Sequence, residues 1–207
     1  MPVLSVRLRR SIPNMLTVIR ILGVVLATYV LFKGTFCLTI TAIVLYAMVT
    51  LTDLLDGYLA RKWDAVSAFG ALMDPIADKV YILTLYASFV FLRLIAHWWI
   101  WPIFIREVTV TVVRLIMVRR GLVIAAERGG KIKTFMQNIS VFSLFLYYVS
   151  IRFYNIEEGI LFSVLTMLAY GFLTAAVYLT IRSGFDFFRN NWDTINGNDP
   201  REGAAVS

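Results

Sequence analysis

Six long apolar stretches recur along the chain, separated by short polar or charged connections. Three of them contain no charged residue, at positions 34–52, 134–151 and 159–181. Three more carry charges towards one end, at positions 12–32, 69–92 and 97–118. None alternates with the period of two that is typical of a half-buried strand, and about 20 apolar residues allow a helix to cross a membrane. The pattern therefore predicts an all-α integral membrane protein with six transmembrane helices.

Composition disfavours an ordinary soluble domain. Of the 207 residues, 59% are hydrophobic and only 16% are charged, whereas soluble globular domains have about 45–50% and about 25%. The six stretches make one domain of residues 12–182. Residues 1–11 interleave basic and apolar side chains, which predicts a short N-terminal helix lying on the membrane surface. Residues 183–207 are predicted to form a cytoplasmic tail that is partly disordered.

The basic residues predict the orientation. With the N-terminus in the cytoplasm, the outer connections have only Lys33, Arg93 and Arg152 as basic residues, whereas the inner connections and both ends are rich in Lys and Arg. Cytoplasmic segments carry such an excess, so both termini are predicted to lie inside. The net charge of +7 does not indicate a nucleic-acid partner, because the basic residues border apolar spans and do not form a separate soluble face.

Four aspartates are unusual in this chain, because ionised groups at membrane depth are costly and tend to mark function. Asp53 and Asp56 end the second span, and Asp74 and Asp78 lie early in the third. At about 100° per residue each pair falls on one face of its helix, and the short connection predicts antiparallel neighbours. Four carboxylates gathered in this way are able to hold one or two Mg²⁺ or Mn²⁺ ions through hard oxygen ligands.

Small residues accompany both acidic faces. Gly57 and Ala60 share the face of the first aspartate pair, and Gly70 shares that of the second, although small residues also serve helix packing in membranes. The alternative for any single aspartate is a solvated helix end or an ion pair with a neighbouring Arg or Lys.

Because Pro75 lacks a backbone donor, the third helix is predicted to begin near residue 73 or 74.

Basic side chains inside the spans are the second unusual feature. Arg20 lies a few turns above the cytoplasmic start of the first span, Arg106 lies deep in the fourth, and Arg114 lies nearer its cytoplasmic end. With the aspartates they are predicted to converge on the inner half of the bundle, in a polar cavity open to the cytoplasm. Arg106 is able instead to pair with the acid that follows it. Lys131 and Lys133 precede the fifth span, where positive-inside topology explains them equally well.

The segment from Asp53 to Asp78 reads D-x2-D-G-x2-A-R-x8-G-x3-D-x3-D, and at every fixed position it resembles the signature of the CDP-alcohol phosphotransferase family. The resemblance implies a six-helix membrane fold, a homodimer and a two-metal site on the cytoplasmic side. It also implies attack on the pyrophosphate of a CDP-linked lipid or alcohol, with release of CMP. By position, all four aspartates become metal ligands, and Asp78 also becomes the base that deprotonates the acceptor hydroxyl. The positions assigned to the CDP-lipid are Gly57, Ala60, Arg61 and Gly70.

Segments outside this motif narrow the resemblance. Residues 12–20, 106–114 and 130–137 resemble bacterial phosphatidylglycerophosphate synthases, which implies a bacterial cytoplasmic membrane, CDP-diacylglycerol as donor and glycerol 3-phosphate as acceptor. Asn14 and Thr17 then become hydrogen-bond partners of the nucleotide, although Asn14 is also able to cap the first helix. One departure is the segment Glu127-Arg128-Gly129, where a serine near Gly129 is expected.

The residues assigned to the acceptor or to a phosphate are Arg20, Arg106, Arg114, Lys131 and Lys133. Arginine suits bidentate phosphate binding. Two alternatives stay open. The first is the same reaction with inositol phosphate, serine or phosphatidylglycerol as acceptor. The second is a small transporter whose acids carry a coupling cation, but the repeated halves with interrupted spans that are typical of transporters are missing.

Overall fold

The computed structural model describes the backbone of residues 6–63, 68–119 and 128–196, and the side chains of residues 19–51, 76–77, 79–119, 130 and 132–196. Within these ranges the chain is helical and contains no strand. Its long helices are α1 (Val6–Phe32), α2 (Phe36–Trp63), α3 (Ala68–Phe91), α4 (Ile100–Arg119), α5 (Arg128–Tyr154) and α6 (Gly159–Asn190). A 3-10 helix, His97–Trp99, precedes α4, and a short α7, Trp192–Ile195, follows α6. The all-α prediction is confirmed for this part of the chain.

Two helical segments are long and apolar enough to cross a membrane, Ile132–Tyr154 and Gly159–Asn190. Shorter apolar segments occur in the first three helices, at Ile19–Phe32, Phe36–Leu51 and Lys79–Phe91. These figures cover only the part of the chain whose side chains are described, so the count of six spans stays a prediction.

Two predicted boundaries do not coincide with helix ends. α1 is continuous from Val6 to Phe32, with no break near residue 11. α6 extends beyond residue 182 to Asn190, so the first part of the predicted tail is helical. The predicted interfacial position of residues 1–11 involves side chains outside the described set, and the predicted disorder concerns residues 197–207, which also lie outside it.

The prediction for the start of the third helix is wrong. α3 begins at Ala68, so Pro75 lies inside the helix and Asp74 does not lie at its N-terminus. A proline at this position removes one backbone hydrogen bond and crowds the carbonyl of the residue four positions earlier. In membrane helices neighbouring groups often satisfy the freed carbonyl, which is why proline is a weaker start signal there than in soluble proteins.

The chain divides into two compact units. The first unit consists of Met1–Leu94 and Tyr148–Glu157, and the second consists of Ile95–Tyr147 and Glu158–Ser207. α5 therefore contributes its first part to the second unit and its last residues to the first.

In the first unit, α1 packs against both α2 and α3. A Cβ on Gly23 of α1 would come within 3.0 Å of Val49 Cγ2 in α2, so the glycine allows close packing. The Thr28 and Tyr46 hydroxyls are 2.7 Å apart and link the same two helices. Gly34 closes the turn between them with φ +71°, a left-handed conformation that glycine adopts without strain. Buried apolar side chains of this unit include Ala27, Leu31, Ala42, Leu85, Tyr86 and Phe89.

In the second unit, α4 packs against α6. The buried apolar side chains of this unit include Ile103, Val110, Leu144, Leu173 and Ala176. The same interior also buries polar and charged side chains, which are Glu107, Lys133, Gln137, Ser140, Thr180 and Ser183. Buried charges need partners, so the contacts of Glu107 and Lys133 are described below.

Candidate active site

The four aspartates of the first unit lie in continuous helices. Asp53 and Asp56 are three residues apart in α2, and Asp74 and Asp78 are four residues apart in α3. Residues at these spacings lie one turn apart on the same face of a helix. The backbone therefore agrees with the predicted pairing within each helix, and carboxylate oxygens are suitable ligands for Mg²⁺ or Mn²⁺. The four side chains themselves lie outside the described set, and the described side chains include no cluster of three or more metal-ligating residues.

The other positions predicted to contact the CDP-lipid are also helical at the backbone. Asn14 and Thr17 lie in α1, Gly57, Ala60 and Arg61 lie in α2, and Gly70 lies in α3. Their side-chain positions are not among those described, so their roles stay predictions. Arg20 of α1 is described, and it is buried, with only 4% of its surface exposed.

A charged cluster with Glu107 at its centre occupies the interior of the second unit. The Glu107 side chain is fully buried on α4, and Lys133 of α5, which is 2% exposed, donates to its Oε1 through Nζ. Arg106 Nη1 lies 3.4 Å from both carboxylate oxygens of Glu107. Two cations thus share one carboxylate in an interior where charge interactions are strong.

The burial of Lys133 argues against a purely topological role, and its role towards the acceptor stays a prediction. A lysine that served only positive-inside topology would extend into the cytoplasm or the headgroup region, whereas Lys133 is buried and ion-paired. Burial without a functional or structural reason is disfavoured for lysine. The side chain of Lys131 lies outside the described set, so its alternative stays open. The alternative left open for Arg106, an ion pair with Glu107, is present, and its role towards a phosphate stays a prediction.

A layer of uncharged polar groups lies one turn beyond Lys133. Gln137 of α5 donates to Thr180 Oγ1 of α6 at 3.1 Å, and Thr180 donates in turn to the Ala176 carbonyl at 2.6 Å. Ser140 Oγ donates to the Gln137 carbonyl at 3.0 Å. The Gln137–Thr180 bond connects α5, which carries Lys133, to α6, and the other two bonds lie within one helix each.

Two residues of α6 contact the predicted arginines. A Cβ on Gly184 would lie 2.9 Å from Arg106 Cγ. The guanidinium carbon of Arg114 lies 5.4 Å from the ring centroid of Phe187, within the range of a cation–π interaction. Phe187 is 1% exposed, whereas Phe185 is 71% exposed. Both rings lie in the segment 183–207 that was predicted to be a cytoplasmic tail, and that prediction did not distinguish them.

The central role of Glu107 was also missed by the sequence prediction, which considered it only as an alternative partner of Arg106. The signal was present, because a lone acid inside an apolar span calls for a cationic partner. The signal for Gly184 and Phe187 was weaker, since both lie beyond the last predicted span. Only the continuation of α6 to Asn190 shows that they belong to the interior.

Comparison with known proteins identifies the family of this chain. A family model described as CDP-alcohol phosphatidyltransferase matches residues 10–181, which include both the aspartate motif and the Glu107 cluster. The chain belongs to the CDP-alcohol phosphatidyltransferase family. Members of this family are integral membrane proteins, in agreement with the two long apolar helices of this chain.

Similar curated proteins carry consistent names. A CDP-diacylglycerol–glycerol-3-phosphate 3-phosphatidyltransferase of Bacillus subtilis is 35% identical over 152 residues, which cover 73% of this chain and 74% of the relative. A probable phosphatidylglycerophosphate synthase of Mycobacterium tuberculosis is 33% identical over 190 residues, with 90% and 84% covered. A CDP-diacylglycerol–glycerol-3-phosphate 3-phosphatidyltransferase of Mycoplasma genitalium is 39% identical over 134 residues, with 61% and 54% covered. The predicted family is therefore confirmed.

Proposed function

We propose that this protein transfers the phosphatidyl group of CDP-diacylglycerol to glycerol 3-phosphate, giving phosphatidylglycerophosphate and CMP. The observation that carries the choice of acceptor is the buried ion-paired cluster of Arg106, Glu107 and Lys133, in a chain whose relatives are named for this reaction. Arginine and lysine side chains gathered inside an apolar bundle are suited to binding an anion, and the acceptor of this reaction is a phosphate monoester.

In this proposal the four aspartates act on the donor. Asp53, Asp56, Asp74 and Asp78 would hold Mg²⁺ or Mn²⁺, with two ions as the expected number. When bound, the metal stabilises negative charge on the pyrophosphate and on the leaving CMP. The two aspartate pairs, each one helical turn apart, provide hard oxygen ligands for this purpose.

The transfer itself is a displacement at phosphorus. The oxygen of the 1-hydroxyl of glycerol 3-phosphate forms a bond to the phosphorus that carries the diacylglycerol. The bond from that phosphorus to the oxygen of CMP breaks, and CMP leaves with the electron pair. Asp78 accepts the proton of the attacking hydroxyl, a role that a carboxylate performs within hydrogen-bond distance of it.

The CDP-lipid is held by residues whose backbone lies in the first three helices. These are Asn14, Thr17, Arg20, Gly57, Ala60, Arg61 and Gly70. The small residues leave room for the nucleotide, and the polar side chains supply hydrogen bonds. Arg20 adds a buried cation for a phosphate of the donor or the acceptor.

The second unit supplies the acceptor side. Arg106 and Arg114 bind the phosphate of glycerol 3-phosphate through planar, bidentate-capable groups, and Lys133 adds a compact charge. Lys131, two positions before Lys133 in the same helix, is a further candidate for the same phosphate. Glu107 keeps Arg106 and Lys133 oriented before the phosphate arrives.

The proposed setting is the cytoplasmic membrane of a bacterium. The excess of basic residues on one side supports six spans with both termini and the catalytic groups on the cytoplasmic side. Residues 1–11 would lie on the membrane surface and residues 183–207 in or near the cytoplasm. We expect the protein to work as a homodimer surrounded by membrane lipid, as the family resemblance implies.

The test is CMP release from CDP-diacylglycerol by the purified full-length protein, with each acceptor offered in turn. Glycerol 3-phosphate should stimulate release strongly, whereas inositol phosphate, serine and phosphatidylglycerol should give only background rates. Stimulation by one of the other acceptors alone would keep the reaction class but refute the proposed substrate. A chelator should abolish release, and Mg²⁺ or Mn²⁺ should restore it.

A further inference from the structure

Helix α6 continues beyond the segment that defines the family. The family match ends at residue 181, whereas α6 runs to Asn190. Gly184 and Phe187 lie on this extension and both are buried. Their spacing of three residues places them on neighbouring positions of one helix face. Each of them contacts one arginine of α4, so the extension meets two of the residues assigned to the acceptor phosphate.

Gly184 leaves space for the stem of Arg106. A Cβ at this position would lie 2.9 Å from Arg106 Cγ and 3.9 Å from both its Cβ and its Nε. The closest atom, Cγ, lies near the backbone end of the Arg106 side chain, so a small rotation of the guanidinium would not relieve the contact. Any larger residue at position 184 would therefore displace the Arg106 side chain from its present course.

Phe187 lies against the guanidinium of Arg114. Its ring is almost fully buried, and its centroid is 5.4 Å from the Arg114 guanidinium carbon. Arg114 Nε is buried and has no hydrogen-bond partner among the described residues, so no described acceptor turns the guanidinium away from the ring. The ring thus fixes the plane of a group that binds phosphate best in one orientation.

We propose that Gly184 and Phe187 are positioning residues, which set Arg106 and Arg114 in the geometry that binds the acceptor phosphate. This inference rests on the proposed function of the two arginines as acceptor ligands. Arginines that are held before the acceptor binds lose less conformational freedom on binding. The extension of α6 should consequently affect the KM for the acceptor and leave the KM for the CDP-lipid unchanged.

The first variant to test is Gly184→Ala, with Gly171→Ala as its matched control. Gly171 lies in the same helix, and a Cβ there would meet nothing within 4 Å. Both changes raise helix propensity to the same extent, so this effect cancels. In full-length protein in lipid nanodiscs, Gly184→Ala should raise the KM for glycerol 3-phosphate about tenfold, the equivalent of about 1.4 kcal/mol of lost binding, because the new Cβ displaces Arg106. Its KM for CDP-diacylglycerol and its Tm should equal those of the control.

The second pair of variants is Phe187→Leu and Phe187→Tyr. Leucine keeps an apolar side chain but removes the ring, so it should raise the KM for glycerol 3-phosphate several-fold. Tyrosine keeps the ring and should retain the KM of the wild type. This pair tests the inference independently if Gly184→Ala does not fold.

Several results would overturn the inference. An unchanged acceptor KM in both Gly184→Ala and Phe187→Leu would show that the arginines do not depend on α6. Equal increases in both KM values, together with a lower Tm, would show a general structural role instead. If the wild type uses another phosphorylated acceptor, the proposed substrate is wrong, and the same variants are compared with that acceptor. If it responds to no phosphorylated acceptor, both proposals fail.

Discussion

The first unit carries four aspartates in two helices, whereas the second gathers Arg106 and Lys133 around one buried carboxylate, Glu107. Four carboxylates of one sign depend on cations from outside the chain. The second cluster contains its own counter-ion and is held together before any ligand binds. In the proposed function, the aspartates would therefore need metal to act on the donor, whereas the Glu107 cluster would bind the acceptor through side chains that are already paired.

This difference also explains how cations are kept at membrane depth. An isolated buried lysine either loses its proton or destabilises the fold, but Lys133 has Glu107 as a partner. Arg106 also lies near this carboxylate, so Glu107 pairs with two cations. A phosphate that draws one of these cations away would leave the other pair in place. Glu107 is therefore expected to matter for stability first and for acceptor binding second.

The largest effect should come from the first unit. Asp78→Asn removes the proposed base and one metal ligand, so kcat should fall about 10³-fold or more. The Tm should change little, because the substitution is nearly isosteric. A control is Asp186→Asn in α6, where the carboxylate is 46% exposed and lies 3.9 Å from Arg182; this variant should keep full activity. Full activity in Asp78→Asn would exclude this aspartate as the base.

The next effect should come from the second unit and should appear in stability. Glu107→Gln removes the negative charge with which both Lys133 and Arg106 pair in the interior, so the free energy of unfolding should fall by about 3 kcal/mol. Thermal unfolding in detergent measures this change, and Glu157→Gln serves as the exposed control. The double variant Glu107→Gln/Lys133→Met should recover much of the stability while its KM for glycerol 3-phosphate stays high. Recovery of both would mean that Lys133 has no part in acceptor binding.

A packing change in the first unit should separate stability from acceptor recognition. Gly23→Val would place new methyl groups against Val49, since even a Cβ there lies 3.0 Å from its Cγ2. Overpacking of this kind should lower the free energy of unfolding by about 1–3 kcal/mol. The KM for glycerol 3-phosphate should not change. Gly171→Val, at a site with open space around it, controls for the change in helix propensity that replacing a helical glycine by valine brings.

The smallest effect should come from the polar layer behind Lys133. Gln137→Leu removes the 3.1 Å hydrogen bond to Thr180, and such bonds in membrane proteins contribute about 0.6 kcal/mol on average. Because Gln137 lies one turn from Lys133, the KM for glycerol 3-phosphate should also rise slightly, by about twofold. Thr180→Val removes the same bond from the other side and should give the same stability loss. A large loss of kcat in either variant would contradict a purely supporting role.

The sequence predicted the helices and the charged residues well, because both have strong local signals. The length of the apolar stretches predicted the long helices, and the rarity of charges inside a span pointed to Arg106, whereas topology explained Lys133 equally well. Pro75 misled the prediction for α3, since membrane helices tolerate proline better than soluble ones. The contacts of Gly184 and Phe187 with arginines could not be predicted, because they depend on how α4 and α6 pack and not on either segment alone.

The most direct test of the central claim follows the acceptor into the product. Purified full-length protein is supplied with CDP-diacylglycerol, Mg²⁺ and glycerol 3-phosphate labelled with ¹³C in the glycerol carbons, and lipid and nucleotide products are quantified by mass spectrometry. The account predicts labelled phosphatidylglycerophosphate and unlabelled CMP in equal amounts, with neither formed when glycerol replaces glycerol 3-phosphate. CMP release without label in the lipid, or equal rates with glycerol, would contradict it.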